Sequence, residues 1–92
     1  MKLGKRARYT LRLMVGIGRA SGEGRRIALS AIAKSSGISK RYLDQLSISL
    51  KNASLIKGRS GRNGGYTLSR PAAEIKIGQI LEAATGPIDI AE

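Results

Sequence analysis

Gly37 separates two stretches of helical periodicity that each begin at a serine, and few folds accommodate two capped helices so close together. Ser30 is a fitting N-cap for a brief helix, Ala31 to Ser35, with Ile32 and Ala33 turned inward. Gly37 ends that helix, and two residues later Ser39 offers a second N-cap. Leu43, Leu46, Leu50 and Ala53 then recur at helical spacing, which predicts a helix from Lys40 to about Asn52. Two capped helices joined by a short glycine-containing turn make a helix-turn-helix.

The flanks extend this unit. Ala7, Leu11, Met14, Val15 and Gly18 place an apolar stripe on a helix from Lys5 to Ala20, with Arg8, Arg12 and Arg19 off it. Gly16 and Gly18 each weaken that helix by about 1 kcal/mol relative to alanine, so another element is expected to pack closely against the stripe. Ser21 to Gly24 break the helix, and Arg26-Ile27-Ala28-Leu29 is a short extended candidate. After the helix-turn-helix, Leu55 to Gly58 and Gly65 to Ser69 read as paired strands around Gly61-Arg62-Asn63-Gly64, because Asn-Gly supplies the positive φ of tight hairpins. Pro71 opens a helical turn through Glu74, and Ile77, Ile80, Leu81 and Ala84 mark a last helix stopping at Gly86-Pro87. The expected architecture is a winged helix-turn-helix, mainly α with a small β wing (α+β). A chain of 92 residues supports one modest core, so residues 1–92 are expected to form a single domain.

Charge points to the partner. Lys and Arg number 17 against 6 Asp and Glu, a net +11, and the excess is concentrated: residues 1–70 hold 16 cations against Glu23 and Asp44. Such a density predicts a polyanion, nucleic acid first. With no His and no Cys, the sequence lacks the parts for a Cys/His zinc site, a thiolate nucleophile, a Ser-His triad or a self-supplied iron–sulfur centre. Gly16-Ile-Gly18 follows a helical pattern rather than a strand, and the carboxylates form no paired cluster, so neither a dinucleotide loop nor a metal-dependent nuclease site is expected. An enzyme reading therefore has no candidate residues. No apolar run approaches the roughly 20 residues of a membrane span and no signal-peptide block is visible, so a cytoplasmic location is expected.

Three groups of residues carry the nucleic-acid reading. In a helix-turn-helix the N-terminal part of the second helix enters the major groove. Arg41, Asp44 and Gln45 are grouped there by i, i+3 and i+4 spacing, and suit guanine, cytosine and adenine edges respectively. A plain solvated face with an Arg41–Asp44 pair is the alternative. Ser39, Lys40, Tyr42 and, further along, Lys51 are backbone candidates, with the Tyr42 ring packing on the turn while its hydroxyl meets a phosphate. The wing brings Lys57, Arg59, Ser60, Gly61, Arg62, Asn63 and Gly64, whose glycines allow close approach to phosphates and whose arginines suit a narrow minor groove. Glycines serving turn geometry alone are the alternative. Lys2, Lys5, Arg6 and Arg8 crowd a helix N-terminus, where cations oppose the macrodipole unless an anion compensates them; a merely solubilising end is the alternative.

The runs Ile38-Ser-Lys-Arg-Tyr-Leu-Asp-Gln-Leu46, Leu50-Lys-Asn-Ala-Ser-Leu-Ile56, Gly61-Arg-Asn-Gly-Gly-Tyr66 and Leu68-Ser-Arg-Pro71 closely resemble the bacterial transcriptional regulators of the IscR, NsrR and CymR family. Arg8-Tyr9 and Ile75 to Ala84 fit the same pattern. The resemblance implies a winged-helix homodimer, acting as a repressor, on a pseudo-palindromic double-stranded DNA operator, with base contacts at Arg41, Asp44 and Gln45. Relatives often carry a small polar residue and Glu at the first two of these positions, so a different preferred sequence is expected. Many also carry arginine just before the first wing glycine, where this chain has Ser60 between Arg59 and Gly61. The family continues with a loop, cysteine-bearing in the iron–sulfur sensors, and a long dimer-forming helix. The sequence ends at Glu92, where that loop would begin, so no cofactor and weak or absent dimerisation are expected of these residues. Two other functions fit a basic winged helix: a protein-interaction module, since fold does not fix function, and RNA binding, for which no aromatic stacking platform is visible.

Overall fold

The structure, a computed structural model, describes residues 4–62 and 64–85. Lys2, Asn63 and the expected helix stop at Gly86-Pro87 lie outside them. Helix α1 runs Lys5–Gly22, α2 Leu29–Ser36 and α3 Lys40–Asn52; β1 (Ile56–Arg59), β2 (Gly65–Leu68), a 3-10 turn (Ala72–Glu74) and α4 (Ile77–Thr85) follow. The strands pair antiparallel, from Ile56 opposite Leu68 to Arg59 opposite Gly65. This is the winged-helix order.

Helix α3 has the expected bounds and the expected cap: Ser39 Oγ accepts the Tyr42 N–H at 3.2 Å. Leu43, Leu46 and Leu50 are fully buried and meet Leu13 and Ile17 of α1, Ile32 of α2, Ile56 of β1 and Ile80 of α4 in one core. Ala53, expected on the same stripe, instead caps the helix and is exposed. Ser54 then takes a left-handed φ of +61°. Its N–H reaches the Lys51 carbonyl at 2.9 Å while the Leu55 N–H reaches Leu50 at 3.0 Å, a closure that satisfies the last carbonyls and turns Leu55 into the core. Glycine adopts that conformation without the Cβ penalty, so Ser54→Gly is expected to raise stability by about 1 kcal/mol. The measurement is a higher urea midpoint at unchanged slope; a lower midpoint would show that the serine side chain supports the turn.

Helix α2 starts two residues earlier than expected. Ala28, not Ser30, is its N-cap, without a side-chain bond, and Ser30 lies exposed in the first turn. The cause is the preceding chain: Ile27 is bridged to Tyr66, which leaves Ala28 extended and its carbonyl free to accept from the Ala31 and Ile32 N–H groups. Of the extended candidate Arg26 to Leu29, only Ile27 pairs. Gly37 ends α2 at φ +78°, as the glycine position requires.

The buried face of α1 is rotated from the expected one. Ala7, Thr10, Leu13, Met14, Ile17 and Ala20 are buried, whereas Leu11 is half-buried and Val15 is 56% exposed. Two apolar stripes adjoin on this helix. Thr10 joins the buried one because its hydroxyl donates to the Arg6 carbonyl at 2.8 Å and so costs little to bury. Leu11 and Val15 line an open apolar groove with Leu68, Ile75 and Ile77. The close packing expected at the glycines is present at Gly16, where a Cβ would sit 3.3 Å from Ile32; at Gly18 the nearest atom, on Leu68, would lie at an ordinary 3.8 Å.

Candidate nucleic-acid interface

A helix advances about 100° per residue, so on α3 Arg41, Asp44, Gln45 and Ile48 fall on one stripe opposite Leu43, Leu46 and Leu50. Burying the leucines therefore fixes which side chains face outward. Arg41 and Gln45 are exposed, and Ile48 is 59% exposed, a large apolar side chain in water at the end of a polar stripe. Asp44 does not pair with Arg41; its carboxylate accepts from Lys40 Nζ at 3.3 Å, one turn earlier. An exposed pair of this kind contributes about 0–1 kcal/mol, too little to hold either side chain against a competing partner.

The N-terminus of α1 lies beside that of α3. The Tyr9 and Tyr42 rings meet edge to face with centroids 5.8 Å apart, and Lys5 Nζ stands 5.6 Å from the first and 5.9 Å from the second. Arg8 also approaches the Tyr9 ring, at 5.9 Å. The Tyr42 ring thus packs on α1. Lys5 and Tyr9 are four residues apart, a spacing readable in sequence; their junction with Tyr42 is not. Arg6 leaves this group: its guanidinium donates to the Ala84 carbonyl and to Ser49 Oγ at 3.0 Å, tying α1 to the last turn of α4. Replacing Tyr9 by leucine is expected to cost about 1 kcal/mol, through the lost ring pair and cation platform, with Phe restoring it. Urea denaturation of both variants checks this; equal losses would assign the effect to the hydroxyl.

The wing begins as soon as α3 closes. Tyr66 of β2 exchanges both backbone bonds with Ile27, at 2.8 and 3.1 Å, which anchors the hairpin to the strand-like segment before α2. Arg59, Ser60, Gly61 and Arg62 are exposed, and Gly64 is half-buried with its N–H on the Gly61 carbonyl at 3.0 Å. Positive φ occurs at Gly61 (+105°) and Gly65 (+132°), so the loop spans Ser60 to Gly64 between the paired residues Arg59 and Gly65. Lys51 is exposed near the end of α3. Among the described residues no hydrogen bond or ion pair joins the wing to Arg41, Gln45 or Lys5. Arg59, Arg62, Arg41 and Gln45 share exposure rather than contact.

The sequence pattern of the Rrf2 family, described as iron-dependent transcriptional regulators, matches residues 3–92. The chain belongs to the Rrf2 family. Its Rrf2 relatives include the HTH-type transcriptional regulator CymR of Bacillus subtilis, 37% identical over 100% of this chain and 66% of that protein. IscR of Cereibacter sphaeroides is 37% identical over 90% of the chain and 54% of that protein. The solved structure of CymR, the global cysteine regulator of B. subtilis, superposes with a TM-score of 0.88 at 35% identity, over 96% of this chain and 67% of that one. T. potens IscR gives 0.85 at 32% identity, over 98% and 65%. The chain thus spans about half to two thirds of the length of these relatives. The Rrf2 family comprises transcriptional regulators, not enzymes, and this chain shares the winged-helix fold of its solved members. Its donor set does not fit the iron of the family description: the 92 residues contain no Cys or His, and among the described residues no three acidic side chains converge. No described helix is long and apolar enough to cross a membrane.

Proposed function

We propose that this single winged-helix domain binds double-stranded DNA sequence-specifically in the cytoplasm and represses transcription by occupancy. The observation that carries the reading is the outward stripe of α3: Arg41, Asp44, Gln45 and Ile48 face solvent because Leu43, Leu46 and Leu50 are fully buried on the opposite side. Arg41 and Gln45 suit bidentate contacts to guanine and adenine in the major groove, and Ile48 suits a thymine methyl. Lys5, Arg8, Ser39, Lys40, Tyr42, Lys51 and Arg59 then meet backbone phosphates, while the wing tip, with Ser60, Gly61, Arg62, Asn63 and Gly64, reaches the adjacent minor groove.

An intact family member acts as a homodimer on a pseudo-palindrome, with dimerisation weak or absent in these 92 residues, because a single module of this size makes limited contacts and two half-sites combine through effective concentration. Selection of bound duplexes from a random pool, repeated with both half-site orientations at varied spacing, tests all of this. A defined palindrome and a steep loss of affinity with salt are expected. Equal affinity for every duplex would remove the sequence-reading role from α3.

A further inference from the structure

The bridge between Ile27 and Tyr66 does more than anchor the wing. It is an isolated bridge on the free side of β2, and its antiparallel register sets Arg26 beside Thr67, which is itself paired with Lys57. Arg59 lies two residues beyond Lys57 and so projects from the same face. The other face is apolar: Ile56 is buried, and the Tyr66 ring covers Gly58, whose Cβ would meet it at 2.8 Å. Arg26, Lys57, Thr67 and Arg59 thus border one open hollow of about 490 Å³, which no carboxylate lines. The nearby Glu23 is engaged by Arg25. Among the described residues none of the three hollow-lining cations has an ion-pair partner. Three positive charges gathered on one small sheet face, from two separate segments, repel one another unless an anion sits between them.

We propose that this outer face of the wing sheet is a phosphate site, taking a phosphodiester of the duplex alongside the groove the wing tip enters. The assignment rests on the DNA-binding reading above. Arg26 and Lys57 supply charge from either side of Thr67, whose hydroxyl serves as a donor to a phosphate oxygen. The guanidinium of Arg59 offers a forked pair of donors.

Two measurements on the 92-residue chain test it. First, isotope-labelled protein is titrated with sodium phosphate and, at matched ionic strength and pH, with sodium chloride. Saturable shifts at the Arg26 and Arg59 side-chain N–H groups and the Thr67 amide, in phosphate alone, are expected. No shifts, or the same shifts in chloride, overturn the site. Second, the salt dependence of binding to a random duplex of about 30 base pairs is compared for wild type, Arg26→Ala/Lys57→Ala and Lys76→Ala. The double variant is expected to flatten the logarithmic slope by about 2, and Lys76→Ala to leave it unchanged. A phosphate response with an unchanged slope overturns the duplex assignment in favour of a free phosphate ion. A melting temperature of the double variant below wild type overturns it in favour of a structural role. Failure of the DNA reading itself shows separately, as wild type ignoring every duplex.

Discussion

Gly65→Ala is expected to destabilise the protein by about 3 kcal/mol or more and to weaken its binding to every DNA sequence alike. Gly65 has φ +132° and a Cβ there would lie 2.7 Å from both the carbonyl carbon and oxygen of Ile27. Those atoms are backbone and cannot swing aside. Relief requires parting Ile27 from Tyr66, which forfeits two hydrogen bonds worth about 0.5–1.5 kcal/mol each, on top of a conformational penalty of about 1–2 kcal/mol for an L side chain in that region. Gly61 is the internal control, because it also has positive φ, +105°, but nothing within 4 Å of its would-be Cβ. Gly61→Ala should therefore cost only that conformational penalty of about 1–2 kcal/mol. Urea midpoints for the two variants make the comparison, and equal losses would show that close approach to Ile27 does not hold the wing in place.

The residues that were legible in sequence are those fixed by local chemistry. Ser39 and its leucines gave the bounds of α3 because cap and periodicity agree there, and Gly37 adopts the left-handed conformation for which glycine is suited. Ser30 misled because a single nonlocal bridge, Ile27 to Tyr66, decides where α2 starts, and bridges across 39 positions leave no local trace. The face of α1 misled for a related reason. Leu11 and Val15 are as apolar as Leu13 and Ile17, and only the arrangement of the other helices selects between the two stripes. At the candidate interface, residue types and spacing on α3 were readable, whereas partners were not. Asp44 turns to Lys40 rather than Arg41, Tyr42 finds Tyr9 on another helix, and Arg6 leaves the basic cluster for the carbonyl of Ala84. Local pattern places Arg26 only in an extended segment, since its position beside Thr67 depends on the same bridge.

Gln45→Ala and Arg41→Ala are each expected to weaken binding to a selected operator by about 1–3 kcal/mol and to relax preference at one base pair. Their behaviour on random duplex should differ. Gln45 is neutral, so its loss should leave non-specific affinity and salt slope unchanged, whereas loss of the Arg41 charge should also lower the slope by up to about 1. Asp44 supplies the opposite sign. Asp44→Ala removes an anion from a basic surface and releases Lys40, now 3.3 Å from the carboxylate, so affinity for random duplex should rise and its salt dependence steepen. Ile48→Ala, with no charge at stake, should change only the preference for thymine at its own position. Binding titrations of the four variants against operator and random duplex decide the matter. If Gln45→Ala loses equally on both, α3 is gripping the backbone rather than reading bases. If Asp44→Ala weakens random binding, the Lys40 pair is holding the helix end in its binding shape instead of competing with phosphate.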